Sequence, residues 1–124
     1  MNWFPMVGGG NSIDVSELEI YGKIINQSVS TLLYDFYDGS AVVYNNEIHI
    51  LGSYASGNYT KHYKWDGKSW TSVSTLPYNF YYGSAVVLGN EIHILGTNDS
   101  DSSSRTKHYL IEKLYYLLPR ELVS

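Results

Sequence analysis

The chain has 124 residues with 12 acidic and 8 basic side chains, a formal charge of -4. That balance excludes the clustered Lys and Arg of a phosphate-tracking surface, so no nucleic-acid partner is expected. The absence of cysteine excludes disulfides, thiolate metal ligands and a cysteine nucleophile. No apolar stretch approaches the roughly 20 residues that span a bilayer, so membrane insertion is not expected either. The compositional oddity is 13 tyrosines.

Residues 1–15 read as a flexible leader, because Gly8-Gly9-Gly10-Asn11-Ser12 cannot hold regular structure cheaply. The opening MNWFPMVGGG lacks a basic n-region and a continuous apolar segment, so no signal peptide is expected. A cytoplasmic or virion-associated protein is the corresponding expectation. Residues 16–28, SELEIYGKIINQS, predict a partial unit, a hairpin turning at Tyr21-Gly22-Lys23.

From Val29 the chain is written twice. VSTLLYDFYDGSAVVYNNEIHILG, Val29 to Gly52, returns as VSTLPYNFYYGSAVVLGNEIHILG, Val73 to Gly96, with 19 of 24 positions identical at an offset of 44 residues. Thr60-Lys61-His62-Tyr63 recurs as Thr106-Lys107-His108-Tyr109 after a loop two residues longer. Repeat 1 therefore covers 29–72 and repeat 2 covers 73–118, with a tail at 119–124. A period in the forties of short apolar runs indicates a β repeat fold.

Each repeat predicts four short strands from β-branched and aromatic runs between turn residues. The first is Ser40 to Tyr44, copied at Ser84 to Leu88. Asn45-Asn46 and Gly89-Asn90 tolerate positive φ and suit a tight hairpin into Glu47 to Leu51 and Glu91 to Leu95. A polar loop follows, Gly52 to Tyr59 or the longer Gly96 to Arg105. The third strand, Thr60 to Trp65, turns at Asp66-Gly67 into a fourth, Lys68 to Val73. Tyr109 to Leu118 has lost the Asp-Gly turn and reads as a degraded hairpin in preference to a short helix or an assembly surface. The runs AVV and IHIL are nearly continuous, so both faces of each sheet need cover, which stacked sheets supply.

This arrangement resembles the Kelch repeat of β-propellers. The matching elements are Ala41-Val42-Val43, the run Ile48 to Gly52, Tyr63 and Trp70 seven positions apart, and Leu76-Pro77 leading onward. The second glycine of the family's pair is replaced by Ser53 or Thr97, and Tyr116 stands where the second copy's Trp would be. The resemblance implies an all-β fold of Kelch-type four-stranded propeller blades. It also implies structural roles for Gly52, Tyr63, Trp70, Gly96, Tyr109 and Tyr116. Propellers close with about four to eight blades, so two blades and a partial third are too few to close a ring in one chain. The chain is then a piece of a longer propeller, an open stack, or a subunit of a homo-oligomer. The sharpest form of the last is a trimer that assembles six blades.

The connections Tyr34 to Asp38 and Tyr78 to Tyr82 join one blade to the next, and by resemblance they lie near a propeller face where partners bind. Tyr34, Phe36, Tyr37, Tyr78, Phe80, Tyr81 and Tyr82 are therefore the candidate ligand-binding residues, for a protein or glycan partner. The plainer role for these rings is packing between blades. His49 and His93, like His62 and His108, are copies of each other with no acidic residue at a ligand spacing, so neither a metal site nor a cofactor is expected. The Asp99 to Ser104 loop lacks the glycine and terminal glutamate of a calcium loop. Glu47 and Glu91 are positional copies, not an acid and base pair.

Near-identical copies present one surface several times, whereas a catalytic centre needs different residues converging. The expected function is a non-catalytic binding or structural module, for example in a phage tail or bacterial surface assembly. The alternatives are a Kelch-type sugar enzyme such as a sialic acid mutarotase, and a propeller fragment without independent function. A copper oxidase of that type would need a cysteine.

Overall fold

The structure, a computed structural model, describes residues 21–23 and 25–115, and the chain divides after Ser30 into two units. In the first unit the described residues, 21–23 and 25–30, form neither strand nor helix. Of the hairpin expected over 16–28, then, the described part shows no strand, and the rest lies outside the described residues.

The second unit is all-β. Its described residues form two antiparallel sheets and one short 3-10 helix, Ser102–Thr106, with no closed barrel. The first sheet has the order β1 (Ser40–Tyr44), β2 (Glu47–Leu51), β3 (His62–Trp65) and β4 (Trp70–Ser72). The second has β5 (Ser84–Leu88), β6 (Glu91–Leu95) and β7 (His108–Lys113). Both are simple meanders, each strand pairing with the next in sequence. The four strands predicted from SAVVY, SAVVL and the two EIHIL runs stand at their expected bounds.

Turn chemistry explains where the other strands differ. At the first hairpin Asn45 and Asn46 both take positive φ, 51° and 63°, as a two-residue turn matched to strand twist requires. β3 begins two residues later than expected, because the Lys61 N–H donates to the Asn58 carbonyl and keeps 58–61 in a turn. β4 is shorter than expected at both ends. The Asp66 carboxylate accepts from the Lys68 and Ser69 N–H groups at 2.7 and 3.0 Å and holds 66–69 as a four-residue turn. In the C-terminal segment, 109–113 is strand, as the hairpin reading requires and the helix reading does not. Leu114 and Tyr115 form no strand, and Tyr116 and the tail lie outside the described residues.

The core lies between the sheets. Val42, Tyr44 and Leu51 of the first sheet pack on Ala85, Ile92 and Ile94 of the second, with Leu76, Tyr78 and Phe80 of the connection filling the seam. Tyr44 Oη donates to the Asn90 carbonyl at 2.7 Å, and the Asn90 side chain donates to the Leu114 carbonyl at 2.7 Å. That chain of bonds ties β1 to the far ends of β6 and β7. At the opposite end the Tyr82 N–H donates to the Asp38 carbonyl at 2.7 Å, and Ser40 Oγ to the Gly83 carbonyl at 3.1 Å.

The pairing therefore covers one face of each sheet, and the two covered faces are opposite ones; on the other face of the first sheet Ile50 is nonetheless buried, at 4% exposure. Tyr44 is 3% exposed in the first sheet, whereas Leu88, its copy in the second, is 67% exposed. Ile92 of the second sheet is fully buried, whereas Ile48, its copy in the first, is 43% exposed. Val43 and Ile48 mark the open face of the first sheet. Val86, Leu88, Leu95 and Leu110 mark that of the second.

Candidate functional site

Both aromatic connections are fastened to their sheets by the same hydroxyl position. Ser53 Oγ accepts from the N–H groups of Tyr37 and Ala55 and donates to the Asp35 carbonyl at 2.5 Å. Thr97 Oγ1 does the same for Tyr81, Asp99 and Asn79, donating to the Asn79 carbonyl at 2.7 Å. Both stand where the sequence analysis looked for a second glycine, at equivalent positions 44 residues apart. Sequence reasoning counted them as mere departures, although a hydroxyl kept at both copies was the signal. The phenols of Tyr34 and Tyr78 complete each fastening by donating to the Gly52 and Gly96 carbonyls at 3.1 and 3.0 Å.

The seven candidate aromatics divide by this geometry. Tyr34, Tyr78, Phe80 and Tyr81 are buried, Phe36 is half-buried, and Tyr37 and Tyr82 are exposed. Burial raises the Tyr34 phenol well above its ordinary value and the Tyr78 phenol to about 12, with a smaller contribution from the neighbouring Tyr63 and Tyr109 respectively. The four buried rings serve packing. The exposed ones join a cluster that spans both repeats.

Tyr54, which sequence analysis did not single out, is the hub of that cluster. Its ring centroid lies 6.0 Å from Tyr37, 4.7 Å from Tyr81 and 6.3 Å from Tyr82, while Tyr59 backs Tyr81 at 5.6 Å. Tyr37, Tyr54 and Tyr82 are 50%, 46% and 62% exposed, and so present one aromatic surface to solvent. Carboxylates flank it. Tyr81 Oη donates to Asp99 at 3.1 Å, and Tyr82 is hydrogen-bonded to Asp38, whose acceptor oxygen and charge raise its phenol. Asp38 and Tyr82, equivalent positions in the two repeats, have φ of 60° and 59°. A bulky aromatic in that left-handed region is strained, and residues so held concentrate at functional sites.

The expected structural residues stand at strand ends and seams. Gly52 and Gly96 have φ of 70° and 67° and donate to the Lys61 and Lys107 carbonyls at 2.7 and 2.8 Å. A methyl group on Gly52 would collide with the Phe80 carbonyl oxygen, so the first repeat's glycine admits the second repeat's connection. Tyr63 and Tyr109 pack on Tyr34 and Tyr78 at 5.6 Å in both copies, and Trp70 packs on Trp65 at 5.4 Å.

The histidines are paired within each sheet. His49 Nδ1 and His62 Nε2 are 2.8 Å apart, and so are His93 Nδ1 and His108 Nε2. In the second sheet His93 Nε2 also meets Glu91 at 2.8 Å. In the first, Glu47 lies 3.9 Å from His49 Nε2, beyond hydrogen-bond length, and pairs with Lys64 at 3.5 Å. Burial lowers His49, and lowers His62 to about 4, where the nearby His49 and Lys64 add to the effect. Glu112 of β7 approaches this buried pair from the second sheet: one nitrogen of each imidazole and one carboxylate oxygen lie within 4.8 Å of one another.

Arg105 lies in the 3-10 helix, exposed, with Nε donating to the Asp99 carbonyl at 3.1 Å. Among the described residues no helix is long and apolar enough to cross a membrane. Comparison with protein-family models and with curated proteins yields no match to the chain.

Proposed function

We propose that the chain is a non-catalytic binding and structural module built of Kelch-type blades, with the tyrosine surface as its recognition site. The observation that carries this reading is the surface itself: Tyr37, Tyr54 and Tyr82 are exposed side by side on a rigid backing of buried rings and hydroxyl-fastened connections. Rings held in place lose little entropy on binding, and each offers a flat apolar face with a polar edge. Asp38 and Asp99 supply acceptors at the flank, a charge that disfavours anionic ligands. A neutral glycan or a peptide backbone fits this chemistry.

The test is an NMR titration of the full chain with neutral oligosaccharides and short uncharged peptides. Resonances of Tyr37, Tyr54 and Tyr82 are expected to shift together. Tyr54→Ala and Tyr82→Ala are expected to weaken binding about threefold to tenfold each, the worth of one aromatic contact. Absence of any response across both ligand classes would overturn the recognition reading.

The open sheet faces support the structural half. They are copies of two faces that mate with each other inside the chain, so the open face of one molecule's second sheet complements the open face of another molecule's first. Such head-to-tail contact closes into rings when the rotation permits, and a trimer of six blades is the sharpest case.

A further inference from the structure

We propose that His49, His62 and Glu112 form a zinc site that staples the two sheets together, one site per chain. This rests on the enclosed imidazole pair with a carboxylate beside it: one nitrogen of each ring and one Glu112 oxygen lie within 4.8 Å of one another, and Glu112 Oε1 is buried without a hydrogen-bond partner. Both imidazoles are fully enclosed, His49 at 0% and His62 at 1% exposure. Buried polar groups in folded proteins are nearly always satisfied, so a buried carboxylate oxygen without a partner beside two enclosed imidazoles needs an explanation.

The backbone aims the third group. Register in the second sheet is irregular between Ile92 and His93, where β7 carries one extra residue: His93 pairs with Leu110, but Ile92 pairs with Glu112, leaving Ile111 over. Without the extra residue Leu110 and Glu112 would share a face. With it Glu112 lies on the face of Ile92, which packs on the first sheet. On that first sheet His49 and His62 lie on the same face as Val42 and Leu51, their direct cross-strand partners.

The donor set suits the ion. Two neutral imidazoles and a carboxylate are ordinary ligands of Zn2+, with Zn–N and Zn–O distances of about 2.0–2.2 Å. Atoms within 4.8 Å of one another reach such an ion after side-chain adjustments of well under an ångström to about one. Coordination would replace the hydrogen bond between the two rings, and the dication would neutralise the enclosed carboxylate. The second repeat supplies a built-in control. His93 and His108 form the same 2.8 Å pair, but on the open face, where His93 Nε2 already has Glu91 as a partner.

The full chain is stripped with chelator, dialysed and titrated with Zn2+ by calorimetry, with Co2+ absorption as a second probe and melting temperature as a third. One equivalent is expected to bind and to raise the melting temperature by several degrees. The isosteric Glu112→Gln should weaken binding at least tenfold and His62→Gln should abolish it, each also removing the visible bands of bound Co2+, whereas His108→Gln should retain one full equivalent. Circular dichroism of each metal-free variant separates lost coordination from lost fold. No binding to the stripped wild-type chain overturns the assignment, as does binding untouched by Glu112→Gln or lost with His108→Gln.

Discussion

Single atoms decide much of how this chain holds its aromatic connections. Ser53 is fully buried, and its one hydroxyl serves two N–H donors and one carbonyl of the strand-to-strand crossing. Ser53→Ala leaves the Tyr37 and Ala55 N–H groups without that acceptor, and a loss of about 1–3 kcal/mol is expected in denaturant unfolding. An unchanged midpoint would show that water replaces the hydroxyl without cost. Alkaline stability is set at the same scale. Above pH 10 the unfolded chain gives up a phenolic proton that Tyr78 keeps until about pH 12 in the folded state. The unfolded state then binds fewer protons, so stability is whole below pH 10 and falls as pH rises through that window. Tyr34, buried and raised in the same direction, adds to the effect. Tyr78→Phe should flatten the pH dependence of the unfolding midpoint between pH 10 and 12, and an equally steep loss in the variant would remove Tyr78 from the explanation.

Among the elements, the hairpins were the most legible in sequence, because their signals are local. Asn45-Asn46 and Asp66-Gly67 specify turns through φ preference and side-chain acceptors, and no distant residue is needed to read them. Asp66→Ala removes the acceptor for two exposed N–H groups and should lower the unfolding midpoint slightly without altering the sheet. Hydrogen exchange confined to 66–69 is the matching readout; exchange that spread into β2 would mean the turn governs the whole sheet. The extra residue of β7 was not legible. Its effect appears only against the register of β6, which no pattern within HYLIEK records. For the same reason Tyr54 escaped notice: it sits in a polar loop, and only folding brings it between the two aromatic connections.

At the scale of the whole molecule, duplication leaves two unmatched faces. The interface that buries Tyr44 against Ile92 is present once, and its two halves are each present once more, open. Leu88→Glu places a charge on the open face of the second sheet at a residue 67% exposed. Light scattering after size exclusion should give an oligomer, a trimer in the sharpest case, for the wild-type chain and a folded monomer for the variant. A wild-type monomer at micromolar concentration would remove self-assembly from the proposed function.

By itself the sequence determined that the chain is built of β repeats, where four of its strands begin and end, and which residues turn them. These follow from alternation, β-branched runs and turn residues, all of which act over a few positions. Only the tertiary structure decided which face of each repeat is buried, which aromatics face solvent, and that a glutamate of one sheet meets two histidines of the other. Two segments identical at 19 of 24 positions carry the same local instructions. What separates Ile48 from Ile92, or His49 from His93, is the neighbour across the seam, and that is set by register and stacking between residues far apart in the chain.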